Sequence, residues 1–102
     1  MKVYIAGPMS GLPDFNYPAF FAAEEALESQ GIKPLNPARN EPPGSATWLA
    51  FMRMSLVQIS QSNGIALLPG WESSKGASIE KRLGDDLGLD VRPLSEWIET
   101  TP

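Results

Sequence analysis

A single carboxylate stands out in the stretch LLPGWESSKGASIEKRLG, which runs from Leu67 to Gly84. Glu80 follows a run of small and hydroxyl-bearing residues, SSKGAS, that is typical of a helix start. A glutamate on the outer surface of such a helix would only favour the helix dipole. A glutamate directed over the end of a neighbouring strand would be in position for acid–base or nucleophilic chemistry.

A second candidate motif, GPMSG, spans Gly7 to Gly11 and follows the first apolar segment of the chain. Its glycines would let the backbone approach a ligand, and its N–H groups could bind an anion. The alternative is a tight turn between a strand and a loop, since the motif is neither a dinucleotide-binding fingerprint nor a Walker loop. The SSKGAS run has the same two interpretations, as a helix cap alone or as a cap that also receives an anion.

The composition limits the chemistry that these motifs could carry. The 102 residues include no histidine and no cysteine, which excludes a Ser-His-Asp triad, thiolate chemistry and most zinc sites. Proton transfer would fall to Asp, Glu, Tyr or Lys. The net charge of −4 argues against binding a nucleic-acid polymer. No apolar run approaches the ~20 residues that cross a bilayer, and no signal peptide is recognisable, so we expect a cytoplasmic protein without membrane contact.

Short apolar segments alternate with helical segments along the chain. The predicted strands are KVYIA (Lys2–Ala6), IKPL (Ile32–Leu35), GIALLP (Gly64–Pro69) and LDVRPL (Leu89–Leu94). Helices are predicted from an Asn16 cap to Gly31, from a Thr47 cap to about Ser62, and through Glu80 to Gly88, with a last turn in SEWIE. The pattern predicts a single domain over residues 1–102 with an α/β fold, a small doubly wound (Rossmann- or flavodoxin-like) parallel sheet of four to five strands with helices on both faces.

In such sheets, ligands bind beyond the carboxyl ends of the strands, near the point where the strand order reverses. GPMSG follows the first predicted strand and PGWESSKG follows the third, so the two loops are expected to meet at that edge. Glu80 comes directly after the second loop, so its carboxylate is expected to lie next to a ligand site. Tyr4 lies inside the first strand, where a core aromatic is the more common role.

Two further segments predict a lid and an oligomer interface. The proline-rich segment NPARNEPPGSAT is predicted to be a surface loop or lid around Asn40–Ser45. The Trp48–Ile59 helix is apolar around most of its circumference, and such a helix is usually buried on more than one side. We therefore expect a homodimer or higher homo-oligomer through this helix.

Three stretches together resemble the nucleoside 2-deoxyribosyltransferase superfamily. They are KVYIAGPMSG at the start of the chain, MRMSL in the middle helix, and IALLPGWESSKGASIE from the third strand onward. The resemblance extends from Lys2 to about Pro93 and is to a small phage and prophage branch, in a superfamily that also contains the 2'-deoxynucleoside 5'-phosphate N-hydrolases. Its most specific element is the spacing from Gly76 to Glu80, preceded by Ser74.

The resemblance implies cleavage or transfer at the N-glycosidic bond of 2'-deoxynucleosides or their 5'-monophosphates. Glu80 would be the nucleophile that attacks C1' and forms a glycosyl-enzyme ester, Tyr4 would orient it, and the helix N-terminus would keep it ionised. No metal or organic cofactor is implied. The substrate-binding residues would be Gly7, Pro8, Ser10, Gly11, Ser55, Ser74 and Gly76. Ser74 favours hydrolysis of the monophosphate, because transferases have an aspartate at that position.

Ser55 departs from the superfamily pattern, in which an Asp-Leu pair of the middle helix assists the leaving base or the sugar hydroxyls. Here the pair is Ser55-Leu56, and Asp14 and Glu72 are the candidate replacement acids. The alternative is therefore a nucleotide-binding protein of the same fold with attenuated or lost catalysis. A flavodoxin-like FMN carrier is a third interpretation, disfavoured because the first loop lacks a Ser/Thr-rich phosphate cradle.

Overall fold

Four parallel strands form one sheet in a computed structural model that describes residues 1–41, 44 and 47–98. The strands are β1 (Lys2–Ala6), β2 (Lys33–Leu35), β3 (Gly64–Leu67) and β4 (Asp90–Pro93), in the order β2-β1-β3-β4. All three neighbouring pairs are parallel. This is the flavodoxin-like order, whose direction reverses between β1 and β3. The predicted α/β fold is confirmed.

The helices are α1 (Tyr17–Glu28), α2 (Trp48–Ser60), α3 (Lys75–Leu87) and the short α4 (Leu94–Trp97). The first three each connect one strand to the next in the sequence, as expected for parallel crossovers. Short 3₁₀ turns lie at Pro13–Asn16, Pro37–Arg39 and Trp71–Ser73. Within the described ranges, no helix combines the length and apolar character that crossing a membrane requires.

The alternation of side chains along β1 separates two apolar layers. Val3 and Ile5 pack against α1 on one face of the sheet. Tyr4 and Ala6 face the other way, into the layer that holds residues of α2 and α3. Helices therefore cover both faces, and α1 lies on the opposite side of the sheet from α2 and α3.

Two helix starts follow their predicted capping chemistry. The Thr47 hydroxyl accepts a hydrogen bond from the backbone N–H of Ala50 (3.1 Å), and the Ser74 hydroxyl accepts one from Ala77 (3.2 Å). Each bond satisfies one of the N–H groups that a helix leaves free at its start. The caps fix where α2 and α3 begin, and both helices begin at the same edge of the sheet.

Asn16 occupies the N-cap position of α1, as predicted, but its side chain does not cap the helix. Its side-chain amide donates to the carbonyl oxygen of Pro8 (3.0 Å) instead of accepting from α1. Asp14, Phe15 and Asn16 have φ angles of 52°, 52° and 61°, in a left-handed region that costs a non-glycine residue roughly 1–3 kcal/mol. The loop after β1 thus enters α1 through a strained turn that one amide holds against the GPMSG segment.

The segment after β2 is anchored on both sides. Arg39 donates to both carboxylate oxygens of Glu24 in α1, at 2.7 Å each. The side-chain amides of Asn40 and Gln58, in α2, exchange two hydrogen bonds of 2.8 and 3.1 Å. The lid predicted at Asn40–Ser45 falls largely on residues 42, 43 and 45, which lie outside the described residues, and it stays a prediction.

Helix α2 buries one side and exposes another. Its buried residues are Met52, Ser55 and Ile59. Three of its apolar residues are between 46% and 56% exposed, namely Trp48, Leu49 and Val57. The single chain therefore covers only part of the apolar circumference, and the oligomer expected through this helix stays a prediction.

Candidate active site

A cavity of about 890 Å³ lies at the carboxyl ends of β1 and β3, where the strand order reverses. Its walls come from β1, from the loops after β1 and β3, and from the N-terminal parts of α1, α2 and α3. The predicted site residues that line it are Tyr4, Gly7, Pro8, Ser10, Ser55, Ser74, Gly76 and Glu80. Gly11 is not among the lining residues and instead occupies a turn with φ of +80°.

Tyr4 and Glu80 meet in this cavity. The Tyr4 side chain is fully buried in the layer beneath α2 and α3, and its hydroxyl donates a 2.8 Å hydrogen bond to Oε2 of Glu80. Glu80 is only 5% exposed. A buried carboxyl group with one hydroxyl donor at a ligand-sized cavity is an arrangement typical of functional sites.

The pKa values of the pair follow from this burial. Burial raises the pKa of Glu80 to about 7, while the neighbouring Tyr4 and Ser55 hydroxyls oppose the rise. Burial, and then the charge of Glu80, raise the pKa of Tyr4 well above its ordinary value. Tyr4 is therefore a neutral hydrogen-bond donor at neutral pH, and Glu80 is the group that gains and loses a proton there.

The helix N-terminus, which was expected to keep Glu80 ionised, does not hold the pKa of this carboxyl group low. Helix α3 begins at Lys75, so Glu80 is its sixth residue. The helix dipole acts mainly within the first turn. Desolvation is the larger effect at this position, and it favours the neutral carboxyl group.

Ser55 is the third polar group of the cluster. It lies on the buried side of α2 and is 5% exposed. The Ser55 hydroxyl lowers the pKa of both Tyr4 and Glu80. One strand and two helices, β1, α2 and α3, thus each contribute one oxygen-bearing side chain to the same cluster.

The loop after β1 approaches the loop after β3 closely. A Cβ atom added at Gly7 would lie 2.8 Å from Cβ of Leu68, which a side chain at position 7 could not avoid without moving the backbone. Pro8 and Ser10 continue from this contact along the cavity wall. Four residues of the GPMSG segment thus line the cavity, Gly7 to Ser10, and its role as a ligand loop stays a prediction.

The start of α3 adds a polar rim. Ser74 lines the cavity while its hydroxyl caps the helix, and Lys75 beside it also lines the cavity. The Lys75 ammonium lies 5.0 Å above the ring of Trp48, an attractive cation–π contact. A Cβ at Gly76 would lie 3.2 Å from the sulfur of Met52, so Gly76 lets α2 and α3 approach at this rim.

The sequence interpretation missed an aromatic wall. The aromatic residues that line the cavity besides Tyr4 are Phe15, Tyr17, Phe20, Trp48 and Phe51. Tyr17 and Trp48 are the first residues of α1 and α2, so their position after a predicted cap was the available signal. The proposed acids Asp14 and Glu72 are not brought into the cavity lining.

The described residues contain no group of three or more Asp or Glu side chains placed to hold a metal ion. The chemistry that the arrangement can perform comes from the Tyr4–Glu80 pair, the polar rim at Ser74 and the aromatic wall. A carboxyl group that titrates near neutral pH can act as a nucleophile or exchange a proton. The aromatic wall suits a planar ring, and the polar rim suits a sugar or an anion.

The fold and the site define a small α/β protein with a flavodoxin-like strand order and a buried tyrosine–glutamate pair at its switch point. The chain belongs to the family described as Domain of unknown function (DUF4406), whose match covers residues 1–92. That range contains every predicted site residue. No match was found among curated proteins.

Proposed function

We propose that the protein cleaves the N-glycosidic bond of 2'-deoxynucleosides or their 5'-monophosphates, with Glu80 as the nucleophile. The observation that carries the proposal is the buried Glu80 carboxyl group, hydrogen-bonded to Tyr4 at 2.8 Å in a cavity of about 890 Å³. The resemblance of the glycine and serine positions around Glu80 to the 2-deoxyribosyltransferase superfamily supports the same assignment. The cavity volume lies within the range of small-ligand sites.

The reaction proceeds in two displacements. One oxygen of ionised Glu80 forms a bond to C1' while the C1'–N bond breaks and its electron pair moves to the base nitrogen. Water then attacks C1', which releases the Glu80 carboxylate and gives the free sugar or its phosphate. A second base in place of water would give transfer. Splitting one difficult displacement into two is the logic of retaining glycosidases.

The remaining walls account for the rest of the substrate. The aromatic wall offers stacking surfaces for the base. The Ser74 hydroxyl, the Lys75 ammonium and the Gly7–Ser10 backbone form the polar side, which suits the sugar hydroxyls and a 5'-phosphate. Ser74 favours hydrolysis of the monophosphate over transfer.

Release of free base tests the proposal. We would incubate the protein with each 2'-deoxynucleoside and each 5'-monophosphate, with and without an acceptor base. Glu80→Gln should abolish release, because an amide cannot form the ester. Glu72→Gln is the matched control, since Glu72 is exposed and outside the cavity lining, and it should keep full activity. Release that is equal in the Glu80→Gln variant would exclude Glu80 as the nucleophile.

The second candidate function is binding of the same nucleotides with attenuated or lost catalysis. Two observations favour it, namely Ser55 at the position of the superfamily aspartate and the location of Asp14 and Glu72 outside the cavity lining. It predicts nucleotide binding with little or no base release, and a gain of release in Ser55→Asp. Glu80-dependent release by the unmodified chain that Ser55→Asp does not increase would exclude it.

A homodimer or higher homo-oligomer through α2 belongs to the same proposal. The exposed apolar residues of that helix, Trp48, Leu49 and Val57, support it. Sedimentation of the wild-type chain beside Leu49→Glu and Val57→Glu tests it, because charges on that surface should give a monomer.

A further inference from the structure

Cleavage of an N-glycosidic bond requires more than a nucleophile, because an unprotonated base is a poor leaving group. Asp14 and Glu72 do not line the cavity. The leaving base departs on the side of C1' opposite the attacking carboxylate, as any in-line displacement demands. If Glu80 is the nucleophile, its proton-donating partner has to lie across the cavity from α3.

Tyr17 occupies that side. It is the first residue of α1, the helix on the opposite face of the sheet from α2 and α3, and it lines the same cavity as Glu80. Its ring lies 5.9 Å from the ring of Phe15 and 6.4 Å, edge on, from the ring of Phe21. Contacts of this kind fix the orientation of an aromatic side chain.

Among the described residues, the hydroxyl of Tyr17 has no partner that would compete with a ligand. It forms no hydrogen bond within the described part of the chain, whereas that of Tyr4 is bound to Glu80. The two amides on the same side are occupied, since Asn16 donates to Pro8 and Asn40 donates to Gln58. Lys75 belongs to α3, as Glu80 does, and its ammonium lies over Trp48.

We propose that Tyr17 is the general acid that protonates the leaving base, an inference that rests on the proposed function. As the C1'–N bond breaks, its electron pair stays on the base nitrogen, and that nitrogen takes the proton of the Tyr17 hydroxyl. The resulting phenolate then accepts a proton from the water that attacks the glycosyl-enzyme ester, which restores Tyr17. One group acts as acid in the first displacement and as base in the second, as in retaining glycosidases.

Leaving groups of different quality test the assignment. The substrate pairs are 2'-deoxyguanosine 5'-monophosphate with its N7-methyl derivative, and 2'-deoxyuridine 5'-monophosphate with its 5-nitro derivative. The second member of each pair releases its base without needing a proton. Tyr17→Phe should slow release of the ordinary base by about 10²–10⁴-fold and release of the activated base by less than about tenfold.

Two variants complete the design. Phe21→Leu removes the edge contact that orients the Tyr17 ring and keeps the hydroxyl, so it should slow release of the ordinary base more than release of the activated base, and by less than Tyr17→Phe does. Glu80→Gln should abolish release from both members. Equal losses for ordinary and activated bases in Tyr17→Phe, or no loss, would overturn the role of Tyr17 and leave the role of Glu80 intact. Release that does not depend on Glu80 would overturn the proposed function, and the inference with it.

Discussion

The Tyr4 hydroxyl donates a 2.8 Å hydrogen bond to Oε2 of Glu80, which joins the middle of β1 to the second turn of α3. Both side chains are buried. The contact lies in the layer that holds α2 and α3 against the sheet. The protonation state of Glu80 therefore affects the stability of the fold as well as the chemistry of the cavity.

The stability of the protein is expected to depend on pH through Glu80. Its pKa is raised from 4.5 to about 7 in the folded state, so between these values the folded chain holds a proton that the unfolded chain has lost. Stability falls as the pH rises through this window, by roughly 3 kcal/mol in total. Glu80→Gln does not titrate at this position. The difference in unfolding free energy between this variant and the wild type should therefore change by that amount, in favour of the variant, from pH 4 to pH 8. Denaturant unfolding at both pH values measures it, and a difference that does not change with pH would contradict it.

The pH dependence of base release should report the same group. The nucleophile is the ionised carboxylate, so kcat/KM should rise with pH to a plateau above about 7. Tyr4→Phe and Ser55→Ala each remove a hydroxyl that lowers the pKa of Glu80, and each should move the midpoint upward by up to about one pH unit. Ser62→Ala is the control, because this buried serine donates to the Ile59 carbonyl and not to the cluster. If the midpoint in Tyr4→Phe and Ser55→Ala is as unchanged as in the control, the titrating group is not Glu80.

Removal of the two helix caps should separate stability from binding. Ser74→Ala and Thr47→Ala each delete one capping hydrogen bond, and each should cost about 0.5–2 kcal/mol of unfolding free energy. Only Ser74 lines the cavity. Calorimetric titration should therefore show weaker binding of a deoxynucleoside 5'-monophosphate in Ser74→Ala alone, with the affinity for the deoxynucleoside changed less. Equal effects of both variants on the monophosphate would assign Ser74 to capping only.

Two buried glycines should differ in their tolerance of a methyl group. At Gly64 an added Cβ would lie 2.6 Å from the Asp90 carbonyl oxygen and 2.6 Å from the Trp97 ring. At Gly84 the nearest atom, at 2.5 Å, is the flexible end of Ile65, and alanine also favours the helix there. We expect Gly64→Ala to cost about 3 kcal/mol or more and Gly84→Ala less than about 2 kcal/mol. Urea unfolding of the pair decides this, and equal losses would contradict it.

Local sequence patterns were sufficient to predict the fold class and the positions of the strands. The apolar run at Lys2–Ala6 and the fully buried Gly64–Leu67 strand were recognisable because short apolar segments bounded by turn residues are typical of central parallel strands. Pro34 lies in β2, which is an edge strand, and a proline is tolerated there because one side of the strand needs no ladder hydrogen bond. The strand order could not be read from these patterns, because it depends on contacts between segments far apart in the sequence.

The site was predictable only where a motif marked it. Glu80 and Ser74 stand in a recognisable helix start, and Tyr4 drew attention through the resemblance more than through its own pattern. Tyr17 carried only a weak signal, its position after a predicted cap, because an aromatic residue at the start of a helix is usually part of the core. Its location depends on the left-handed turn at Asp14–Asn16. Asp and Asn tolerate that conformation, but a bulky residue such as Phe15 rarely adopts it, so the sequence did not predict three such residues in a row. The raised pKa of Glu80 was likewise a product of burial that its sequence neighbours did not show.

The alternation of side chains along β1 limits which insertions and deletions the strand can accept. Odd and even positions of the strand face opposite helices, with Val3 and Ile5 toward α1 and Tyr4 and Ala6 toward α2 and α3. Deleting or inserting one residue before Tyr4, with the strand pairing preserved, would turn the phenol to the wrong side of the sheet. The register of β1 is therefore constrained by the site as well as by the core, in which Val3, Tyr4, Ile5 and Ala6 are all fully buried.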